Sequence, residues 1–313
     1  MKVRIHQLRS FVAVAELRHF TQAAAAVGIS QPSLSKQIHT LERELGAPLF
    51  ERVRGDITLT PAGEVLLPLA QRILADVDAA RREVQELIGL RRGRVRLGAT
   101  PSLCASVVPR VLRRFRDTYP NIDLYIEEGG SQDLVPNLVR GALDLALIVV
   151  PEQGADPALH TEPVLRESLV VASVEPLAPT TPAGELHLVD LRRYPLVMFR
   201  RGYDLRDATV EACRKAGFTP TFAVEGGEMD AVLGCVEAGL GVALVPRVVL
   251  TGRPRLHATP LARPGVQRTI GLARRREIVL SHAAQALRET LFTYLRDAAR
   301  SGELPAEVEL AMR

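Results

Sequence analysis

The most regular hydrophobic pattern in the chain lies between Leu34 and Leu45. Four apolar residues there are separated by four, three and four positions, which places them on one side of a helix. Ser30 is suited to cap the start of that helix, and Pro32 falls within its first turn, where a missing N–H costs little. Gly46 is suited to end it. The pattern predicts a helix with one buried side and one free side.

Short elements flank this helix. Residues 5–18 carry apolar positions at helical spacing, and the alanine-rich segment Thr21–Val27 predicts a second short helix that ends at a glycine. After the central helix, residues 49–52 and 57–59 bracket a turn at residues 54–56 as a small hairpin. Three helices followed by a hairpin are the order of a winged helix-turn-helix.

The free side of the central helix is polar and positively charged. It carries Lys36, His39 and Arg43 beside several hydroxyls, and its one acidic residue, Glu42, lies near the edge. Hydroxyl, amide and cationic side chains at the start of a helix suit the major groove of DNA, where side chains contact base edges and cations contact phosphates. The candidate DNA-binding residues on this helix are Ser30, Gln31, Pro32, Ser33, Ser35, Lys36 and His39.

Residues 61–90 predict one long helix that is apolar along one side, with a kink at Pro68. Such a helix is not stable alone in water, so it pairs with a second copy of the chain or packs against a later domain of its own chain. Pairing would hold two reading helices on one duplex and predicts a DNA site that is a partial inverted repeat. The apolar stripe consists of Val65, Leu66, Leu69, Ile73, Val77, Ala80, Val84 and Leu87.

Strand and helix patterns alternate from residue 93 onward, which predicts a mostly parallel sheet covered on both faces. The rhythm restarts after residues 162–165 and returns at Pro264-Gly265, so two lobes with a cleft and a hinge are expected. The predicted domains are 1–60 for DNA binding, 61–92 for the linker helix and 93–300 for ligand binding. Within the last of these, lobe I spans 93–162 and 267–300, lobe II spans 163–266, and a frayed tail follows at 301–313.

Motifs in both halves resemble LysR-type transcriptional regulators. The resemblance implies a winged helix-turn-helix, a long linker helix and a two-lobed α/β domain similar to periplasmic binding proteins. It also implies pairing through the linker helix into a homodimer, with a homotetramer of two dimers favoured, and double-stranded DNA and the transcription machinery as partners. The matching residues are Leu8, Phe11, Val14, Ala15, Phe20, Thr21, Ala23-Ala24, Ser30–Ser35, Ile38, Leu41-Glu42, Leu45-Gly46, Leu49–Arg52, Leu59–Gly63, Gly141–Ala146, Gly234 and Val236–Pro246.

The same resemblance assigns roles to individual side chains. It implies that Gln31, Pro32, Ser35 and Lys36 contact bases or backbone in the major groove. It also implies that Arg52 and Arg54 reach from the hairpin towards the minor groove or the phosphates.

A small organic effector, of unknown identity and with no other cofactor, is expected at the carboxyl ends of the strands. Hydroxyls and free N–H groups follow the first two strands, which suits an anion such as an organic acid. Ordinary helix capping by Ser102 and Ser131 is the competing interpretation, and an interlobe salt bridge competes for Arg201. The candidate effector-binding residues are Thr100, Pro101, Ser102, Gly130, Ser131, Phe199, Arg201, Tyr203, Gly226 and Gly227.

Composition changes this picture little. Formal net charge is +4, from 40 Lys and Arg against 36 Asp and Glu, which is too mild to indicate nucleic acid by itself. The only lysines are Lys2, Lys36 and Lys215. No secretory signal and no apolar run of membrane-spanning length is present, so a cytoplasmic protein without a membrane partner is expected.

Three cysteines without a Cys-x-x-Cys motif predict buried free thiols and no metal site. Peroxide-sensing relatives use a cysteine before a Leu-Arg-Asp segment and a second cysteine later in the chain. Here Asp204 precedes Leu205-Arg206-Asp207, and only Cys213 matches the later position. A thiol–disulfide switch is therefore not expected.

Enzyme motifs are missing from the sequence. There is no dinucleotide fingerprint, phosphate loop or nucleophile elbow, and Asp144 inside an apolar strand is better explained by a structural hydrogen bond than by catalysis. The chain is not expected to be an enzyme. The alternative is a free-standing two-lobed binding protein or enzyme whose first ninety residues serve only oligomerisation; salt-dependent binding of a DNA duplex separates the two.

Overall fold

The computed structural model describes residues 3–53, 56–87, 93–151, 154 and 156–312. The chain separates into two compact units, Met1–Leu90 with Val139–Ala142, and Arg91–Leu138 with Leu143–Arg313. Each unit is organised around hydrophobic clusters of its own.

The N-terminal unit packs around one small core. Phe11, Val14, Leu34, Leu41 and Leu49 are at most 1% exposed, and they come from the first and third helices and the turn before the hairpin. The predicted winged helix-turn-helix is confirmed. Its elements are α1 (Ile5–Leu17), α2 (Phe20–Ala26), α3 (Gln31–Leu45), β1 (Phe50–Val53), β2 (Asp56–Leu59) and α4 (Pro61–Leu87).

Local capping signals set the ends of these helices as the sequence predicts. The Ser30 hydroxyl accepts the N–H of Ser33 at 3.4 Å, and Gly46 closes α3 in the left-handed region with φ 75°. The Thr60 hydroxyl accepts the N–H of Gly63 at 3.1 Å and donates to the Pro48 carbonyl at 2.6 Å. Thr60 therefore fastens the start of α4 to the segment before the hairpin.

The C-terminal unit contains two hydrophobic cores, one in each lobe. Val95, Phe115 and Leu291 belong to the first core, and Val197 and Leu233 belong to the second. Its elements are β3 (Arg94–Ala99), α5 (Pro101–Cys104), α6 (Val107–Thr118), β4 (Asp123–Glu128), α7 (Ser131–Val139), β5 (Leu145–Val149), β6 (Leu159–Ser173), β7 (Leu196–Met198), α8 (Asp204–Lys215), β8 (Phe222–Glu225), α9 (Met229–Glu237), β9 (Ala243–Pro246), β10 (His257–Pro260), β11 (Gln267–Arg275), α10 (His282–Ser301) and β12 (Val308–Leu310), with short 3₁₀ helices at Leu188–Arg193 and Arg247–Leu250.

One long strand runs through both lobes. Strand β6 has 15 residues. Its Leu165 belongs to the first core and its Leu169 belongs to the second. Its first part pairs with β11, and its last part pairs with β9 and β10. The second lobe was predicted to begin at a break near residues 162–165. These residues lie inside the continuous strand instead, so the two lobes share a strand there.

The sheet is mixed, which corrects the expectation of a mostly parallel one. Strand β3 is parallel to β4 and β5, but β11 is antiparallel to both β5 and β6. The chain leaves lobe I along β6 and returns along β11, and two neighbouring strands that carry a chain out and back must run in opposite directions.

The C-terminal segment is also corrected. Residues 301–313 were expected to fray, yet β12 pairs antiparallel with β6, Val308 opposite Glu167 and Leu310 opposite Leu165. Val308 is only 8% exposed. A segment of three residues is too short for an alternation of apolar and polar side chains to predict a strand. The segment becomes a strand because an edge of β6 is free to pair with it.

Asp144 has the structural role that the sequence favoured. Its carboxylate accepts the backbone N–H of Arg96 at 2.8 Å and both the Nε–H (3.2 Å) and the terminal N–H (2.6 Å) of the Arg96 side chain. These three bonds join the residue before β5 to β3.

Candidate functional site

The predicted reading face of α3 points away from the core of the N-terminal unit. Leu34, Ile38 and Leu41 are buried, whereas Lys36 and His39 on the other side are exposed. The His39 side chain is 80% exposed, so it is not enclosed by its own unit. Ser30, Gln31, Pro32 and Ser33 are exposed and Ser35 is half-buried.

Polar side chains at the start of α3 hold one another in place. The Ser30 and Ser33 hydroxyls lie 2.8 Å apart, and the Gln31 amide donates to the Ser35 hydroxyl at 3.0 Å. These are exposed side-chain bonds, which a base edge can replace at small cost because water already competes for them. The arrangement offers donors and acceptors at one helix start, as major-groove contact requires.

The acidic residue at the edge of this face is turned inward. One oxygen of Glu42 accepts the N–H of Leu49 at 2.9 Å, after the turn that follows α3. The other oxygen lies 3.9 Å from His39 Nδ1. Glu42 therefore caps the segment that leads into the hairpin, which reduces its repulsion of a phosphate backbone.

The hairpin is partly outside the description. Arg52 lies in β1, which pairs with β2 opposite Ile57, but its side chain and all of Arg54 fall outside the described residues. Their predicted contacts with phosphates or the minor groove stay predictions.

The apolar stripe of α4 divides into two rows. Ala70 is fully buried, and Leu66 and Leu74 pack with it onto the core of their own unit. Val65 and Leu69 lie one turn apart and are 68% and 42% exposed, respectively. The row continues with Ile73 at 41% and Val84 at 55%. Within the N-terminal unit only one of the two rows is therefore covered, and the second is exposed.

One of the predicted effector residues, Ser131, contacts a residue of the other lobe that the sequence did not select. Ser131, at the start of α7 in lobe I, donates both its N–H and its hydroxyl to the Asp204 carboxylate, each at 3.0 Å. The same hydroxyl accepts the N–H of Val149 at 2.9 Å. Asp204 begins α8 in lobe II, so a carboxylate of the protein itself sits at the helix start where an acid was expected.

The approach of the two lobes is close at this point. A Cβ added to Gly130 would lie 2.9 Å from the Gly202 carbonyl oxygen, so Gly130 leaves room for the backbone of the other lobe. Gln132 also donates to Asp207 across the lobes at 3.3 Å. Spatial proximity of Asp204 to Ser131 has no signal in the sequence, because 73 residues separate them.

Thr100 and Ser102, after β3, are 1% and 0% exposed, and Ser102 contacts a buried ion pair. Arg268 donates to the Ser102 hydroxyl at 2.7 Å and through Nε to Glu167 at 2.7 Å. The Arg268 and Glu167 side chains are 3% and 1% exposed. Sequence reasoning missed both residues, since each looks like an ordinary surface charge in a strand until β6 and β11 are placed side by side.

The remaining candidates are divided between buried and exposed positions. Phe199 and Tyr203 stack with ring centroids 4.8 Å apart, and each is 1% exposed. Arg201 and Gly227 are exposed and Gly226 is half-buried. The interlobe ion pair considered for Arg201 is made by Arg200 instead, whose terminal nitrogen lies 2.6 Å from the Asp133 carboxylate.

Asp204 should make stability depend on pH. Burial raises the pKa of the Asp204 carboxyl, against the opposing effect of its bonds from Ser131. Between the ordinary value of about 3.9 and the raised one, the folded protein holds a proton that the unfolded chain has released. The contribution of this group to stability therefore falls as pH rises through that interval.

Asp204→Asn keeps an acceptor for Ser131 and removes the titration. The melting temperature of the variant minus that of the parent protein is expected to increase as pH rises from about 4 towards neutral. Asp117→Asn, which alters an exposed pair with Arg113, is the control for the same substitution at an exposed position. A melting difference for Asp204→Asn that does not change with pH would contradict the raised pKa of Asp204.

Burial disfavours ionisation of two cysteines, Cys104 and Cys213. Burial raises the pKa of Cys104 to about 12, with a further contribution from the charge of Glu128, and burial raises the pKa of Cys213 to about 11. A thiol with such a pKa carries little thiolate at neutral pH, and thiolate is the reactive form.

Within the described ranges, no group of three or more His, Cys, Asp and Glu side chains is placed to hold a metal ion. None of the helices in that part of the chain has the length and apolar character needed to cross a bilayer.

Comparisons with known proteins match the chain along most of its length. A family model described as a bacterial regulatory helix-turn-helix protein of the lysR family matches residues 5–64, and the LysR substrate binding domain matches residues 89–296. A probable hydrogen peroxide-inducible genes activator of Streptomyces viridosporus is 37% identical, with 96% of each chain covered. The transcriptional dual regulator GltC of Bacillus subtilis is 32% identical over 93% of this chain and 97% of its own. A full-length OxyR variant from Pseudomonas aeruginosa superposes with TM-score 0.69 at 27% identity, and 95% of each chain is covered.

Proposed function

Because the chain belongs to the LysR family of DNA-binding transcriptional regulators, we propose that a small polar effector binds between the two lobes of its C-terminal unit. Binding of the effector changes how paired N-terminal units hold their DNA site. The observation that carries the proposal is the polar cluster of Ser102, Ser131, Tyr203 and Arg268. These side chains are buried where the lobes meet. Burying a polar group costs free energy unless it is hydrogen-bonded, and a small number of converging polar groups is typical of a ligand site.

An effector acts in this way only if its affinity differs between two arrangements of the lobes. The contacts of Ser131 with Asp204 and of Arg200 with Asp133 hold the lobes together. When the lobes move, these contacts must either all break or all be kept. A ligand that replaces or reinforces them shifts that balance. The shared strand β6 is the natural place for bending, since both lobes are built on it.

The exposed row on α4 supports pairing of two chains, which places two α3 helices on one duplex. A dimer of two such dimers would hold four reading helices, and contact with the transcription machinery would follow from the complex on DNA. The finer expectation of an organic acid as effector has to account for Asp204, which occupies the anion position at the start of α7.

A peroxide response is the second candidate, because one relative bears the name of a peroxide-inducible genes activator. The raised pKa values of Cys104 and Cys213 argue against a thiolate sensor in this chain. A non-covalent effector is therefore the better-supported proposal.

Lys36→Ala tests the DNA-binding face. The variant is expected to bind an operator duplex several-fold more weakly, and the slope of log affinity against log salt should fall by about one, because one phosphate contact is lost. Lys215→Ala is the matched control, since Lys215 is an exposed lysine paired with Glu211 on α8.

Fluorescence anisotropy with a labelled duplex at several salt concentrations measures both quantities. An unchanged affinity and slope for Lys36→Ala would favour the alternative that the N-terminal unit serves only oligomerisation.

A further inference from the structure

Residues 303–312 follow α10 and are fixed to lobe I. Glu303 accepts from the Arg110 side chain of α6 and from the Tyr294 hydroxyl of α10, the second at 3.4 Å. Val308 is 8% exposed and belongs to the first core, and the Ala311 N–H donates to the Val164 carbonyl at 3.1 Å. The partly buried side chains that pack against the same core are Leu304, Leu310 and Met312.

Strand β12, within this segment, pairs with the part of β6 that passes from one lobe to the other. Leu165 of β6 lies in the first core and Leu169 in the second, and β12 pairs with residues 165–167. The N–H of Ser168 then donates to the Glu307 carbonyl at 2.8 Å. Since β11 also pairs with residues 165–168, this part of β6 has a neighbour on each edge. Bending it away from β12 breaks backbone hydrogen bonds, which is costly where no water replaces them.

The same segment contacts lobe II through a side chain. Arg247, in the short helix that follows β9, donates to Oε1 of Glu307 at 3.3 Å. Oε2 of Glu307 is buried and unpartnered within the described ranges, so losing Arg247 would leave a poorly solvated carboxylate. Val248, the next residue, packs against the cores of both lobes. The ion pair therefore lies at the junction of the lobes.

We propose that residues 303–312 form a C-terminal brace, which restrains the movement of the two lobes and so sets how readily an effector changes their arrangement. The consequence for an effector rests on the proposed function, whereas the restraint itself does not. Movement of lobe II about the crossing part of β6 shifts Arg247 relative to Glu307 and bends β6 away from β12. The C-terminal brace therefore adds a free-energy cost to other arrangements of the lobes, and an effector must exceed that cost by its differential affinity.

Amide hydrogen exchange of the full-length protein, followed by mass spectrometry, tests the restraint without an effector. The Ser131 N–H donates to Asp204 across the lobes at 3.0 Å, so its exchange reports separation of the lobes. The Ser168 N–H reports opening of the C-terminal brace itself. The Leu97 amide reports overall unfolding, because β3 is paired there with β4 on one side and β5 on the other.

Arg247→Ala and Glu307→Gln should each speed exchange at Ser131 by about three-fold, the size expected for a partly exposed ion pair, and leave Leu97 unchanged. The two substitutions combined should have no larger effect than one alone, since both remove the same contact. Glu309→Gln is the matched control, because Glu309 is an exposed glutamate on the same strand. It should leave exchange at Ser131 as in the parent protein.

A chain that ends at Pro305 lacks β12 and should exchange at Ser131 by about ten-fold or more faster, because the backbone bonds to β6 are lost as well. Its removal of Val308 uncovers part of the first core, so circular dichroism is used to check that the shortened protein folds. If it does not fold, the two point variants decide the matter.

Unchanged exchange at Ser131 in both point variants overturns the proposal, as does faster exchange confined to Ser168. Equal acceleration at Ser131 and Leu97 also overturns it, because the segment would then contribute only to overall stability. Each of these results leaves the proposed function standing. Faster exchange at Ser131 with unchanged affinity for the operator duplex would support the C-terminal brace and count instead against coupling between the lobes and DNA binding.

Discussion

Replacing Leu69 and Ile73 with glutamate is expected to convert the protein to monomers and to weaken operator binding by about 100-fold or more. Both side chains lie on the row of α4 that the N-terminal unit leaves exposed. Burying a leucine or isoleucine contributes roughly 1.5–3 kcal/mol, and a pair of chains loses four such side chains and has four carboxylates to desolvate instead. Operator affinity falls because the second DNA-binding head is no longer tethered to the first.

Light scattering after size-exclusion chromatography measures the oligomeric state, and a titration of the operator duplex measures the affinity. Asp78→Arg is the control, because Asp78 is an exposed charged residue on another face of the same helix. If the double variant stays dimeric at micromolar concentration, the exposed row is not the pairing surface and the chain pairs elsewhere.

Arg268→Ala is expected to destabilise the C-terminal unit by about 3–5 kcal/mol, since it leaves the buried carboxylate of Glu167 without its cation. Ser102 also loses the donor at 2.7 Å. The effect is large because both side chains are almost completely removed from water, so the solvent cannot screen the charge that remains. Chemical denaturation followed by fluorescence or circular dichroism measures the loss.

Arg113→Ala is the matched control for this change. It breaks an ion pair with Asp117 in which the two side chains are 81% and 60% exposed, and such pairs contribute at most about 1 kcal/mol. Replacing both buried partners, as Arg268→Met with Glu167→Leu, should recover most of the stability, because no lone charge is left. A loss near 1 kcal/mol for Arg268→Ala would mean that water reaches Glu167.

The N-terminal unit could be predicted almost completely because its determinants are local. The spacing between Leu34 and Leu45, the cap at Ser30 and the left-handed glycine at Gly46 act within one or two turns of the chain. An exposed Lys36 follows from the same spacing, since a residue opposite the buried stripe of a helix faces outward. The two lobes were predicted for a similar reason, because each strand and helix has a hydrophobic pattern that can be recognised within its own segment.

The cleft was predicted in part. The segments that follow β3, β4 and β7 were selected from the sequence, and they do supply Ser102, Ser131 and Tyr203. The partners of these residues were missed, because Asp204 and Arg268 lie 73 and 166 positions from the serines they contact. An organic acid was expected on the basis of the hydrogen-bond donors alone. The groups of the protein that already accept from those donors also decide what can bind there.

The sequence by itself determined the family, the element order, the reading face of α3 and the apolar stripe on α4. Helical and strand periodicity, caps and turn residues act between near neighbours, so a linear pattern is enough to specify them. Tertiary structure alone decided that Asp204 fills the anion position at Ser131, that Glu167 and Arg268 form a buried pair, that β12 completes an edge of β6, and that one row of α4 stays uncovered. Each of these depends on which distant segments come together, and the charge and hydrogen bonding of a site are the sum of all the groups that meet there.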